Sequence, residues 1–221
     1  MAPEAVGSRS FVAWLLESRT AGACSWVLAA IFFLLAQLVA GAAWTRPYSW
    51  ASHNISDLGA TSCGPWQGGG RWVCSPWHEV MNIGFVITGV LVVLGVVLRW
   101  RCDRALAGPA GVCVLLAGVA YVVAGFAPAD KHENVHVVLA ALPLFLFGNV
   151  GLVLAAARRS PWSSALRRTS LLMGVVGLVA MILFFGSHYL GLGQGGIERV
   201  VVWPLLVVLV AVALHDLRRG T

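Results

Sequence analysis

Charge is scarce in this sequence. Only 11% of its 221 residues are Asp, Glu, Lys or Arg, where a soluble domain of this size carries roughly 25%. Acids are the rarest of these, nine against 15 Lys and Arg. That composition cannot solvate a globular surface. Other signatures are missing as well. The glycine clusters at 68–70 and 191–196 do not lie between a strand and a helix, so they read as turns rather than phosphate cradles. No G-x-S-x-G elbow for a Ser-His-Asp hydrolase is present. No inverted repeat of the kind found in secondary transporters is evident. Net charge is +6 and the pI is near 9.6, yet no basic stripe interleaved with aromatics exists, so no nucleic-acid partner is expected. Residues 1–20 carry Glu4, Arg9, Glu17 and Arg19, and the apolar run that follows is long enough to remain as a span, so no cleavable signal peptide is expected.

What is abundant is apolar residues, at 59% with a mean hydropathy of +0.83. They gather in continuous runs of about 20 residues, the length that crosses a bilayer core. Only helices and closed barrels satisfy their backbone in lipid, and the runs do not alternate, so helices are expected. The sequence predicts an all-α polytopic membrane bundle. Its spans are about 23–43, 77–98, 109–127, 132–157, 170–190 and 197–214. A short segment, 1–22, precedes them and a tail, 215–221, follows. In the first segment Phe11, Trp14, Leu15 and Leu16 offer an interfacial helix, but a frayed tail is the expectation. Of the 15 basic residues only Arg46, Arg71, Lys131 and Arg199 fall on one side. The asymmetry places both termini in the cytoplasm and the protein in the cell membrane.

The rare polar groups then fall unevenly. His53, His78, His132, His136 and His188 lie towards the extracytosolic side, with Asp57, Glu79, Asp130, Glu133 and Glu198; only His215 among the histidines lies inside. Ionisable groups near membrane depth are costly and usually face a cavity. A polar pocket at the extracytosolic mouth is the central expectation. Cys63 and Cys74 share the loop there, where oxidation is possible. A bridge between them contributes about 3 kcal/mol in the chain-entropy account. Cys24, Cys102 and Cys113 are expected to be free thiols.

Two groupings carry chemistry. In HENVH, His132 and His136 are four apart and share a helix face. Such a pair can bind zinc, with Glu133 as general base and a third ligand from Glu198, His188, His78 or His53. The competing reading is a capping box, Asp130-x-x-Glu133, opening span four. No cofactor is expected; zinc is the one metal the pattern admits. The second grouping is His53 with Asp57, and His78 with Glu79 and Asn82, joined by Glu198 at the start of span six. Carboxylates in such a pocket serve as proton donors near neutral pH. Against that, Asp57 and Ser56 can cap a short helix and Glu79 can sit at the positive end of span two. Asp57, Glu79, Glu198, His53, His78 and His136 are the candidate acid/base residues. Trp50, Trp77, Asn82 and His188 are candidate substrate contacts, and Trp50, Trp66, Trp72 and Trp77 can wall a pocket for a cation or an isoprenoid. Gln37 and Asn149 read as interhelical hydrogen bonds.

The runs HNISDLGA (53–60), SPWHEVMNIGFVITG (75–89), GFAPAD (125–130) with a histidine soon after, and GIERVVVWP (196–204) resemble the DUF998 family of prokaryotic six-span membrane proteins, over most of the chain. The ISD-x-G pattern is also similar, over a shorter stretch, to the DRAM and Sfk-type membrane families. The resemblance implies a six-helix bundle with its polar motif in the first extracytosolic loop. It carries over Asp57, Gly59, Asp130, His136 and Glu198 as family positions, and it gives HENVH no zinc role. The functional expectation is an enzyme acting by proton transfer on a membrane-dissolved lipid or isoprenoid, by cyclisation or hydrolysis. The alternatives are a non-catalytic lipid- or partner-binding protein and a zinc hydrolase.

Overall fold

The computed structural model describes residues 11–66, 70–158 and 162–219, with the side chains of 11–17 and 219 left aside. Six helices make the bundle: α1 Phe11–Ala42, α2 His78–Arg99, α3 Pro109–Phe126, α4 Glu133–Ala157, α5 Ser164–Phe185 and α6 Gly193–Arg219. All six contain stretches long and apolar enough to cross a membrane, so this is a multi-pass membrane protein. Each packs against the next and α6 returns to α1, which closes the ring. Helices 1, 3 and 5 run one way and 2, 4 and 6 the other. The start of α1 and the end of α6 therefore share one end of the bundle, the terminal end. The long 43–77 connection lies at the opposite, loop end.

The centre is aromatic. Phe33 of α1 packs edge-on against Tyr121 of α3 at 5.2 Å and lies 5.8 Å from Phe85 of α2 and 5.4 Å from Trp203 of α6. Lipid supplies no hydrophobic drive between helices, so close approach and packing must do the work. Gly89 on α2 shows this: a Cβ there would collide with the Gly118 carbonyl of α3. The outward faces are apolar, as Leu171, Leu172, Val179 and Ile182 of α5 illustrate.

Several boundaries depart from the sequence expectation. The segment expected as a tail is the start of α1, whose helix runs unbroken from Phe11. α5 begins at Ser164 rather than 170, because the Ser163 hydroxyl accepts the Leu166 N–H as an N-cap. α6 begins at Gly193, within what reads as a turn: Gly195 packs on the His53 carbonyl, and the Gly196 N–H donates to Ala51 at 3.1 Å. The loop also holds a short hairpin, β1 Gly64–Pro65 and β2 Trp72–Val73, with Gly64 opposite Val73. The predicted Cys63–Cys74 disulfide closes its base.

Candidate functional site

The 3₁₀ turn Ser56–Gly59 sits in the loop end of the bundle with Asp57, Leu58 and Gly59 buried. Short polar residues and glycine make this possible. Asp57 turns its carboxylate back onto the Asn54 N–H at 2.8 Å, and the chain folds tightly over it. The same carboxylate, 0% exposed, takes a two-pronged contact from Arg71, with Nε at 2.8 Å and Nη2 at 2.9 Å. Arg71 Nη1 donates onward to Gln194 of α6 at 3.1 Å. The cap is thus tied to α6 through a buried ion pair.

Further ties surround it. The Ser75 hydroxyl donates to the Leu58 carbonyl at 2.7 Å, and Asn82 Nδ2 to the Gly59 carbonyl at 3.0 Å. Arg199 Nη1 donates to the carbonyls of Trp50, His53 and Gly195 at 2.8–3.0 Å, and Nη2 donates to the Tyr48 hydroxyl. Burial pushes the Tyr48 hydroxyl well above its ordinary pKa, against the pull of Arg199, so it stays protonated and donates to the Asn54 carbonyl at 2.9 Å. Asp130, from the α3–α4 connection, reaches across to the loop. It accepts from the Thr61 N–H and hydroxyl and the Ser62 N–H and hydroxyl, at 2.6–3.1 Å. Partial burial works against its charge, but these donors outweigh it and hold the carboxyl below its usual pKa.

Beneath the cap lies a cavity of about 20 Å³, walled by Ser56 and by Ile55, Phe85, Ala140, Phe145 and other apolar residues, with Glu198 of α6 and His136 of α4 as its ionisable groups. Glu198 Oε2 accepts the Ile55 N–H. His136 Nδ1 lies 2.7 Å from the Ala127 carbonyl. A carbonyl only accepts, so Nδ1 carries a proton, and in the neutral ring Nε2 keeps its lone pair. Asp57 belongs to the turn above the cavity, next to the wall residue Ser56, and does not itself line it. His136 also opens a π-helical segment, His136–Ala141, a departure from α geometry that often marks functional positions.

The structure therefore brings together Asp57, Glu198 and His136 of the candidate acid/base set, and not the others. His53 lies before the 3₁₀ turn and does not share a face with Asp57. Its ring stacks on Tyr48, accepts the Ser49 N–H at Nδ1 and contacts the Trp72 carbonyl through Nε2 at 3.2 Å, so both nitrogens are engaged. His78 Nδ1 bonds the Ser75 carbonyl. Glu79 is exposed at the start of α2, where the helix pole stabilises it. Trp50, Trp77 and His188 are exposed as well, so they line no pocket with Glu198; Asn82 is a tie of the cap. The zinc arrangement is not assembled. His132 precedes the first turn of α4 and is exposed, while His136 is buried and turned inward. Among the described residues no group of three or more His, Cys, Asp or Glu side chains could hold a metal. The capping box fails too, since α4 has no side-chain N-cap and Asp130 serves Thr61 and Ser62 instead.

The expectation that buried ionisable groups gather at one mouth also needs correction. At the terminal end Arg99 is 0% exposed and bonds Asp103 at 2.9 Å, Asp216 of α6, and the Arg19 carbonyl. Arg19 pairs with Asp216 at 2.8 Å, Trp162 Nε1 donates to Asp103, and Trp26 lies under the Arg99 guanidinium at 4.7 Å. In sequence Arg99 looks like one more loop arginine. Its signal is Asp103 four residues on, the spacing of a helical ion pair.

A family model described as "Protein of unknown function (DUF998)" matches residues 27–215. No curated protein and no solved structure matches the chain.

Proposed function

The chain belongs to the DUF998 family, and we propose that it is an integral membrane enzyme whose Glu198 and His136 perform acid/base chemistry on a membrane-dissolved lipid, from the extracytosolic side. The observation that carries this reading is the capped cavity. A carboxylate and an imidazole from two of the candidate spans face one small space, and ionisable groups within spans are expensive to keep without a task. The arginine distribution supports the loop end as extracytosolic.

The size of the space favours hydrolysis over isoprenoid cyclisation. About 20 Å³ is room for one water and not for a polyprenyl chain. Glu198 Oε2 is held by Ile55, which leaves Oε1 to accept from that water, and His136 Nε2 offers a second acceptor. Attack of the water oxygen on a lipid ester carbon or phosphorus would pass its proton to one of these acceptors. The bond to the leaving oxygen breaks, and that oxygen takes up a proton from the pair. Admission of the lipid head requires the cap over residues 54–60 to lift.

Lipid extracts of membranes containing the wild-type chain, Glu198→Gln or His136→Gln test the proposal. A lipid class consumed only with the wild type is expected. Identical profiles from all three, with each variant folded and disulfide-bonded, would contradict it. They would favour the second reading, a non-catalytic lipid- or partner-binding protein, for which the firmly tied cap offers a rigid docking face.

A further inference from the structure

A groove of about 390 Å³ lies at the terminal end, between the last turn of α4 and the first turns of α5. Its walls include Val153, Ala157 and Leu171, and its polar groups are Ser164, Arg167 and Arg168. Arg167 is anchored: its Nε donates to the Ala156 carbonyl at 3.0 Å. Neither Arg167 nor Arg168 pairs with a carboxylate among the described residues. The described acids at this end are already engaged, Asp103 by Arg99 and Trp162, and Asp216 by Arg19, Arg99 and His215. Among the described residues the two guanidinium groups of the groove have no carboxylate partner; they lie beside an aliphatic wall, and Leu171 is exposed.

We infer that this groove binds the phosphodiester head of an anionic phospholipid, with an acyl chain laid along Val153 and Leu171. A planar guanidinium meets phosphate oxygens through two parallel N–H donors, and basic recesses between helices on the cytoplasmic side suit acidic lipid heads. The positive pole of α5 opens at the same place and adds attraction for an anion. A second groove of about 410 Å³, lined by Ser18 of α1, the end of α2 with Trp100 and Arg101, and Leu115 of α3, has similar room but Arg101 as its one charged group, so it serves as the comparator. The inference stands apart from the Glu198 cavity and rests on the arginine-based orientation.

Topology alone needs positive charge here, not guanidinium geometry, and this separates the two accounts. The detergent-solubilised full chain is titrated with short-chain phosphatidylglycerol, phosphatidylcholine or inorganic phosphate, reading thermal midpoint and bound lipid. Saturable stabilisation by phosphatidylglycerol alone is expected. Arg167→Gln/Arg168→Gln should weaken it at least about tenfold, equivalent to losing one charge-assisted hydrogen bond. The paired lysine variant should weaken it too, and Arg101→Gln should not. Equal response to phosphatidylcholine would overturn the inference on the wild type alone, whatever the variants do. So would unchanged binding in the glutamine pair, or an equal effect of free phosphate, which would assign the groove to a soluble anion.

Discussion

Removing Arg71 isolates the most buried charge at the loop end. The Asp57 side chain is 0% exposed and Arg71 only 15%. The Arg71→Gln change deletes two charge-assisted hydrogen bonds at 2.8 and 2.9 Å and leaves the carboxylate with the Asn54 N–H alone among its present donors. Breaking a buried pair by removing one partner costs about 3–5 kcal/mol, because the other charge stays buried and uncompensated. That loss should appear as opening of the cap rather than of the bundle. The turn Ser56–Gly59 is held by single bonds from Ser75, in the connection ahead of α2, and from Asn82 of α2, whereas the helices are held by their packing. Amide exchange over 54–60 should accelerate roughly 100-fold or more, with α3 and α6 little changed. The double variant Asp57→Asn/Arg71→Gln should recover part of the loss, giving a non-zero coupling in the cycle. Exchange within roughly threefold of wild type in Arg71→Gln would show that the pair does not hold the cap.

Three further changes probe other ties. In Gly59→Ala the new Cβ would overlap Asn82 Oδ1, displacing the side chain that holds the Gly59 carbonyl; a loss of about 1–3 kcal/mol should show in the thermal midpoint. Asp216→Asn should destabilise the terminal end by about 3–5 kcal/mol, since Arg99 stays buried with one carboxylate instead of two, while Arg101→Gln should stay within about 0.5 kcal/mol. The Asp130 carboxyl sits below its ordinary value of 3.8 in the folded protein. Its contribution is therefore complete above 3.8 and lost as pH falls through the lower folded value. The protection factors of the Thr61 and Ser62 amides, exchange normalised by the intrinsic rate at each pH, should be flat from neutral pH to about pH 5, fall in acid, and lose that acid-dependent fall in Asp130→Asn.

The helices were legible because lipid leaves a chain little choice: an apolar run of sufficient length becomes a helix. The disulfide was legible from two cysteines in one exposed loop. The loop-end motif was legible as a place but not as an arrangement. Asp57 and Glu198 drew notice by their depth, yet their partners Arg71 and Ile55 are 14 and 143 residues away, and no local spacing announces such pairs. Glu79 and His132 lie outside the cavity, on the surface, for a related reason. Both sit at the step into a helix, where one residue of register decides between the interior and the surface. The inward turn of Arg99 was hidden by topology, since loop arginines are expected at that end whether or not one is buried.

The central claim is that Glu198 activates a water in the capped cavity. Its most direct test is reconstitution of the purified chain in liposomes of total membrane lipid, in water enriched in oxygen-18. The account predicts label in a lipid-derived acid or phosphate with the wild type, and none with Glu198→Gln although its cap exchanges as slowly. No label with the folded wild-type protein, or equal label from both proteins, would contradict it.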